Sequence, residues 1–339
     1  MKSVNTHKIY IYLFLILIIT LIISLCIGSV NIPLSKIFNI LKYNIFSIGE
    51  IDRTYNGILW YIRTPRVLTA FLVGGGLGIC GATIQSLFQN PMGDPGILGI
   101  SSGASLGAIL SIAFGLASKS IVIMPLMSIF FSFLAGILVY KLGTFKGKVS
   151  ILGLILSGIA IRTFLGALNS LILTNISDNL AKEFLFWSMG SLSGRHWDHI
   201  YMAGVPILFL SYLLMRNYNE LNILLLGDEQ SLSLGINVNR FRKKILIYTS
   251  SIVALAVCIS GNIGFVGLVI PHILKKIIGN DNKYILPMSF LGGGIFLLLA
   301  DLISRIIISP KEIGIGIVTS LLGAPYFMYL LLKYRRGEN

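Results

Sequence analysis

Few residues in this chain carry reactive chemistry, and their spacing rules out most of what they could do. His196 and His199 flank Trp197-Asp198 and could begin a metal site, but no third ligand accompanies them. Gly143-Thr144-Phe145-Lys146-Gly147-Lys148-Val149 has the flavour of a phosphate loop. It holds one residue too few between its glycines, and it puts Val149 where Ser or Thr must meet magnesium. Cys26, Cys80 and Cys258 are widely spaced inside apolar runs and read as inert buried thiols rather than a redox or metal pattern. No zinc-hydrolase motif, serine elbow or pair of catalytic carboxylates occurs. The expectation is a chain that is not an enzyme, has no metal or cofactor, and cannot hydrolyse ATP alone. What remains is charge in apolar surroundings: Arg162 in mid-run, Asp301 and Arg305 four residues apart on one helix face, and Arg63 and Arg66 straddling Thr64-Pro65.

The elements that must position these charges are membrane spans. Of the 339 residues, 55% are hydrophobic and only 12% charged, too few to cover a soluble surface. A span needs about 20 apolar residues for a hydrocarbon core of roughly 30 Å. Ten candidates follow, approximately 9–30, 65–88, 96–117, 121–142, 150–174, 197–215, 244–260, 263–279, 285–308 and 313–332. The eighth is the weakest, because it carries Pro271, His272, Lys275 and Lys276. The first run is longer than a signal-peptide core and lacks a small-x-small cleavage site, so it reads as a retained helix.

The net charge of +14 is a topology signal rather than a sign of nucleic-acid binding. With the N-terminus inside, 16 of the 27 basic residues fall in cytoplasmic segments, which places both termini in the cytoplasm. Arg63, Arg66 and Arg305 then lie on the outer side, against that rule. Thr64 is a plausible N-cap with Pro65 at the first helical position of the second span.

Breaks and close-packing marks divide these spans. Gln89-Asn90-Pro91-Met92-Gly93-Asp94-Pro95-Gly96 cannot be helical, and Pro91, Pro95, Gly96 and Pro271 are expected to be structural turns. Gly74-x-x-x-Gly78 and Gly99-x-x-x-Gly103-x-x-x-Gly107 mark close helix packing. The inner segment 219–240 is too polar to span and too apolar to be a solvated linker. Leu226 to Arg240 reads as two short helices on the cytoplasmic face, ready to receive a partner.

These segments, in this order, resemble the FecCD-type permease family of binding-protein-dependent ABC importers, which includes siderophore and vitamin B12 permeases. The resemblance covers the chain from about residue 55. Its most specific parts are Arg63-Thr64-Pro65-Arg66, Asn90 to Gly99, Ser101-Ser102-Gly103-Ala104, Gly190-Ser191-Leu192-Ser193-Gly194, Gly264 to His272, Ala300-Asp301 and Gly323-Ala324-Pro325-Tyr326-Phe327.

The resemblance implies an all-α, polytopic fold of about ten transmembrane helices, like type II ABC importer permeases, with related halves at 63–174 and 240–333 in opposite orientation. It implies a bacterial cytoplasmic membrane, a second permease subunit (a copy or a paralogue), two ATP-binding subunits, an extracytoplasmic substrate-binding protein, and a metal-chelate substrate such as an iron-siderophore, haem or corrinoid. It further implies roles for named residues. Arg63, Arg66 and Arg305 would receive carboxylates of the binding protein, and Asn90, Met92, Val149 and Ser150 would form a cytoplasmic gate. Gly227, Asp228, Glu229, Ser233, Leu234, Gly235 and Ile236 would couple to the ATPase. The rival is an ion-gradient-driven secondary transporter. That class places a carboxylate or a discontinuous helix near midplane, whereas here only Arg162 is clearly mid-span.

Overall fold

The computed structural model describes residues 6–28, 30–48, 52–120, 122–145 and 148–335. Among the described residues, fourteen helices follow one another: α1 (Thr6–Cys26), α2 (Leu34–Phe46), α3 (Arg53–Leu87), α4 (Ile100–Ala113), α5 (Ile123–Gly143), α6 (Ile151–Leu173), α7 (Asp178–Ser188), α8 (Trp197–Met215), α9 (Tyr218–Leu224), α10 (Asp228–Ser233), α11 (Val238–Ser260), α12 (Val266–Ile278), α13 (Asn282–Ile306) and α14 (Ile315–Arg335). A two-stranded antiparallel ladder, Thr144–Phe145 with Lys148–Val149, joins α5 to α6.

Among the described residues, seven helices are long and apolar enough to cross a membrane: α1, α3, α5, α6, α8, α11 and α13. Three expected spans are shorter. α4 has 14 residues and α12 has 13, and the described apolar part of α14 runs Ile315–Leu330. At 1.5 Å per residue α12 is roughly 20 Å long, short of the roughly 30 Å hydrocarbon core.

α3 is the axis of the bundle, and its glycines explain why. A Cβ on Gly74 would strike the carbonyl of Gly293 in α13, one on Gly78 that of Ser289, and one on Gly81 that of Gly267 in α12. Without those side chains, backbones pack in contact, which supplies dispersion where lipid gives no hydrophobic drive between helices. The stripe in α4 works the same way: Gly103 and Gly107 lie against the backbones of Phe131 and Met127 in α5. α5 and α6 are by contrast mostly uncovered in the single chain. Cys80 and Cys258 are buried, as their surroundings predict, and Cys26 is half-buried.

Two proline expectations are corrected. Thr64 is not an N-cap, because α3 runs unbroken from Arg53 and is capped instead by Asp52, which accepts from the Thr54 and Tyr55 N–H groups. A π turn over Gly57–Arg63 precedes Pro65, and both the N–H and the hydroxyl of Thr64 donate to the Leu59 carbonyl. Pro271 is not a turn either, since it lies inside α12. A proline there leaves the carbonyl four residues back without its helical donor. That carbonyl, of Gly267, accepts from Gln85 Nε2 at 3.3 Å, so α3 satisfies it. The chain reverses before α12 instead, at Gly261 and at Phe265, a non-glycine residue in the left-handed region.

The other expected break is observed. Pro91 lies in a turn after α3, Asp94 accepts from the Gly96 N–H at 2.7 Å, and Pro95–Leu98 forms one 3-10 turn. The short-helix pair starts earlier than expected, at Tyr218. Only α10 lies wholly between Leu226 and α11, because Gly227 and Gly235 hold positive φ on either side of it.

Candidate functional site

The arginines gather at one end of the bundle, where α1 finishes and α13 gives way to α14. Arg66 lies 2.8 Å from Asp301 and holds Glu312 with both terminal nitrogens, at 2.7 and 3.0 Å. Asp301 also pairs with Arg305 at 3.0 Å, one helical turn along α13. Arg305 reaches back to the carbonyls of Ser24 and Ile27, each at 3.3 Å. Arg63 donates to those of Leu25, Cys26 and Val30. Helix C-termini leave their last carbonyls without intrahelical donors. Arg63 and Arg305 supply donors to those of α1, and the Arg66–Asp301–Arg305 trio ties α3 to α13.

Free guanidinium forks at the outer surface are therefore not what the structure holds. Arg63, Arg66 and Arg305 are 4%, 6% and 8% exposed, and each is spent inside the chain. The sequence missed Glu312, which reaches Arg66 across 246 positions and leaves no local signal.

Mid-bundle, a cavity of about 450 Å³ opens where the breaks before α4 and α12 meet. Ligand pockets generally span about 300–1,000 Å³. Asp94, Ser101, Ser102, Ser105, Arg162 and Asn169 are among the residues lining it. Arg162, which composition singled out, thus faces a polar cavity, as a charge within a span must. Near the arginine end, His199 is buried and its Nδ1 accepts from the His196 N–H. His196 and His199 belong to no cluster of three or more potential ligands among the described residues.

The opposite end carries the expected gate and coupling residues. Asn90 is exposed and Met92 half-buried on the loop after α3. Ser150 caps α6, its hydroxyl accepting from the Gly153 N–H at 3.1 Å. Val149, expected at the gate, turns its side chain into the core at 4% exposure. On and beside α10, Leu226, Leu232 and Leu234 are each 60% exposed, and Glu229, Ser233 and Gly235 are exposed with them. Asp228 turns back and pairs with both terminal nitrogens of Arg242, at 2.8 and 2.9 Å. Gly227 and Ile236 are half-buried at either end. Arg242 was legible only as a positive charge, because its partner lies 14 positions away.

The model of the FecCD transport family matches residues 16–333. The chain belongs to that family. It is 40% identical to the Bacillus subtilis ABC transporter permease protein YvrB, over 98% of this chain and 96% of the relative. It is 38% identical to the hemin transport system permease protein HmuU of Yersinia pestis, over 94% and 95% respectively. A solved structure described as an inward-facing metal-chelate-type ABC transporter superposes with a TM-score of 0.85 at 34% identity, covering 96% of this chain and 99% of that one. The function of this chain is that of an ABC-importer permease subunit.

Proposed function

We propose that this permease carries a metal chelate of the haem, iron-siderophore or corrinoid class across the cytoplasmic membrane, by alternating access driven by a separate ATPase. The substrate class rests on the hemin permease and the metal-chelate-type transporter to which the chain is similar. Ten crossings, with both termini cytoplasmic, accommodate the seven long helices together with α4, α12 and α14. Related halves at 63–174 and 240–333 fit the placing of α4 and α12, each the short second helix of its half. A second permease subunit covers the apolar faces of α5 and α6.

In this orientation the arginine end faces outward and receives the substrate-binding protein. Arg63 and Arg305 brace that face from within. Arg66 exchanges Glu312 for a partner carboxylate, since a guanidinium fork holds either one bidentately. Asn90, Met92 and Ser150, with the backbone of Val149, close the pathway at the cytoplasmic end.

One observation carries the ATPase assignment: Leu226, Leu232 and Leu234 stand exposed together around a six-residue helix that is itself pinned to the bundle. Exposed apolar residues on a pinned, polar-flanked element mark a partner surface. Gly235 holds a φ of 85° beside it, a conformation closed to proline. Gly235→Pro is expected to leave the chain inserted and the ATPase active, while ATP-driven haemin uptake into proteoliposomes is lost. Uptake at the unmodified rate would reject the seat, and haemin uptake driven by an ion gradient without the ATPase would reject the class.

A further inference from the structure

Three segments converge at the coupling end without any sequence pattern to announce it. α10 offers Asp228. The first two turns of α11 offer Asn239 and Arg242, three residues apart and so on one helix face. The ladder strand before α6 offers the main chain of Val149. Arg242 is 5% exposed and holds Asp228 with both terminal nitrogens. One of those nitrogens also faces the Val149 carbonyl at 3.5 Å, the long limit of a hydrogen bond. The N–H of Val149 donates to Asn239 Oδ1 at 3.1 Å. Both backbone groups of Val149 are therefore held from one face of α11, and the same guanidinium holds α10.

The next residue, Ser150, is the N-cap of α6, and its N–H is fixed to the Gly143 carbonyl at 3.1 Å. From α10 to the first turn of α6 there is an unbroken path of one ion pair, one guanidinium and one peptide. A guanidinium is planar and rigid, so it does not absorb displacement as a lysine chain does. A donor and acceptor more than about 3.5 Å apart no longer form a hydrogen bond. A shift of α10 of an ångström or more thus either carries Val149 with it or breaks the path.

We propose that Arg242 is a positioning residue that transmits movement of α10 to the start of α6, with Asn239 holding the other side of the same peptide. The proposal rests on the ATPase seat proposed above, and the test separates the two. In the assembled transporter, in a Cys26→Ser background, two positions serve as reporters: Gln230→Cys on α10, exposed and outside the leucine seat, and Leu152→Cys in the first turn of α6. Maleimide labelling is compared between the nucleotide-free and the vanadate-trapped states.

With Arg242 in place, both reporters are expected to change rate by about fivefold or more, the lower end of ordinary coupling between sites. With Arg242→Gln, the α10 reporter is expected to keep its response while the α6 reporter loses it. Asn239→Ala is expected to reduce the α6 response only, and Arg242→Lys to restore part of it by keeping the charge at Asp228. A purely structural Arg242 would move both reporters together, or neither. An α6 response that survives Arg242→Gln and Asn239→Ala overturns the link and leaves the seat intact. An α10 reporter that is silent with Arg242 present overturns the seat, and the link falls with it. Should Arg242→Gln fail to assemble, Asn239→Ala and Arg242→Lys carry the same comparison.

Discussion

Asp301→Ala tests whether the arginine end is held by buried charge. Asp301 is fully buried and serves two cations, Arg66 at 2.8 Å and Arg305 at 3.0 Å. Without it Arg66 keeps Glu312, but Arg305 keeps only carbonyls, those of Ser24 and Ile27 at 3.3 Å and that of residue 301 itself at 3.4 Å. A guanidinium with 7% side-chain exposure is then left without a counter-charge. Breaking a buried pair from one side costs about 3–5 kcal/mol, and because one carboxylate serves both arginines that figure covers the whole loss.

Glu312 provides the control. Its side chain is 36% exposed, so Glu312→Gln is expected to cost only about 0–1 kcal/mol. The measurement is a reversible denaturant titration in mixed micelles, followed by thiol labelling of Cys80 and Cys258, which are 0% and 1% exposed in the folded chain. Loss from Asp301→Ala at least threefold larger than from Glu312→Gln is expected on those two ranges. Equal losses, or a cost below about 1 kcal/mol for Asp301→Ala, would refute the idea that burial makes this carboxylate matter.

The remaining predictions concern packing and the gate. Gly81→Ala would push a methyl group into the Gly267 carbonyl, backbone against side chain with nothing flexible to yield. It is expected to destabilise by about 1–3 kcal/mol in the same titration. Gly166→Ala, with open space around its Cβ position, is expected to cost nothing measurable. Cysteines at Asn90 and Ser150, both exposed, are expected to crosslink in one nucleotide state and not the other. Crosslinking that ignores nucleotide, or none in any state, would remove these residues from a moving gate.

How much of this was legible beforehand depended on how local the cause was. The long apolar helices, the break at Gln89–Gly96, the glycine stripes and the membership of a permease family all followed from short windows of sequence. In those windows the solvent imposes the pattern, because an apolar run in lipid must be helical and a proline-rich one cannot be. What Arg63, Arg66 and Arg305 do was not readable in this way. Their partners are carbonyls of residues 24–30, Asp301 and Glu312, up to 246 positions away, and charge type alone cannot say whether a guanidinium is free or spent.

The same limit governed Pro271, which sequence reads as a turn and tertiary contact keeps in a helix through Gln85. It governed Val149 too, whose buried side chain and backbone links to Asn239 and Arg242 exist only once α11 lies beside the ladder. The sequence by itself determined which long segments are apolar helices and that the chain breaks at Gln89–Gly96, since backbone satisfaction in an apolar run is decided locally. Only the tertiary structure decided which buried charges meet, because a desolvated ion is stable only beside its partner, and packing of distant helices sets that pairing.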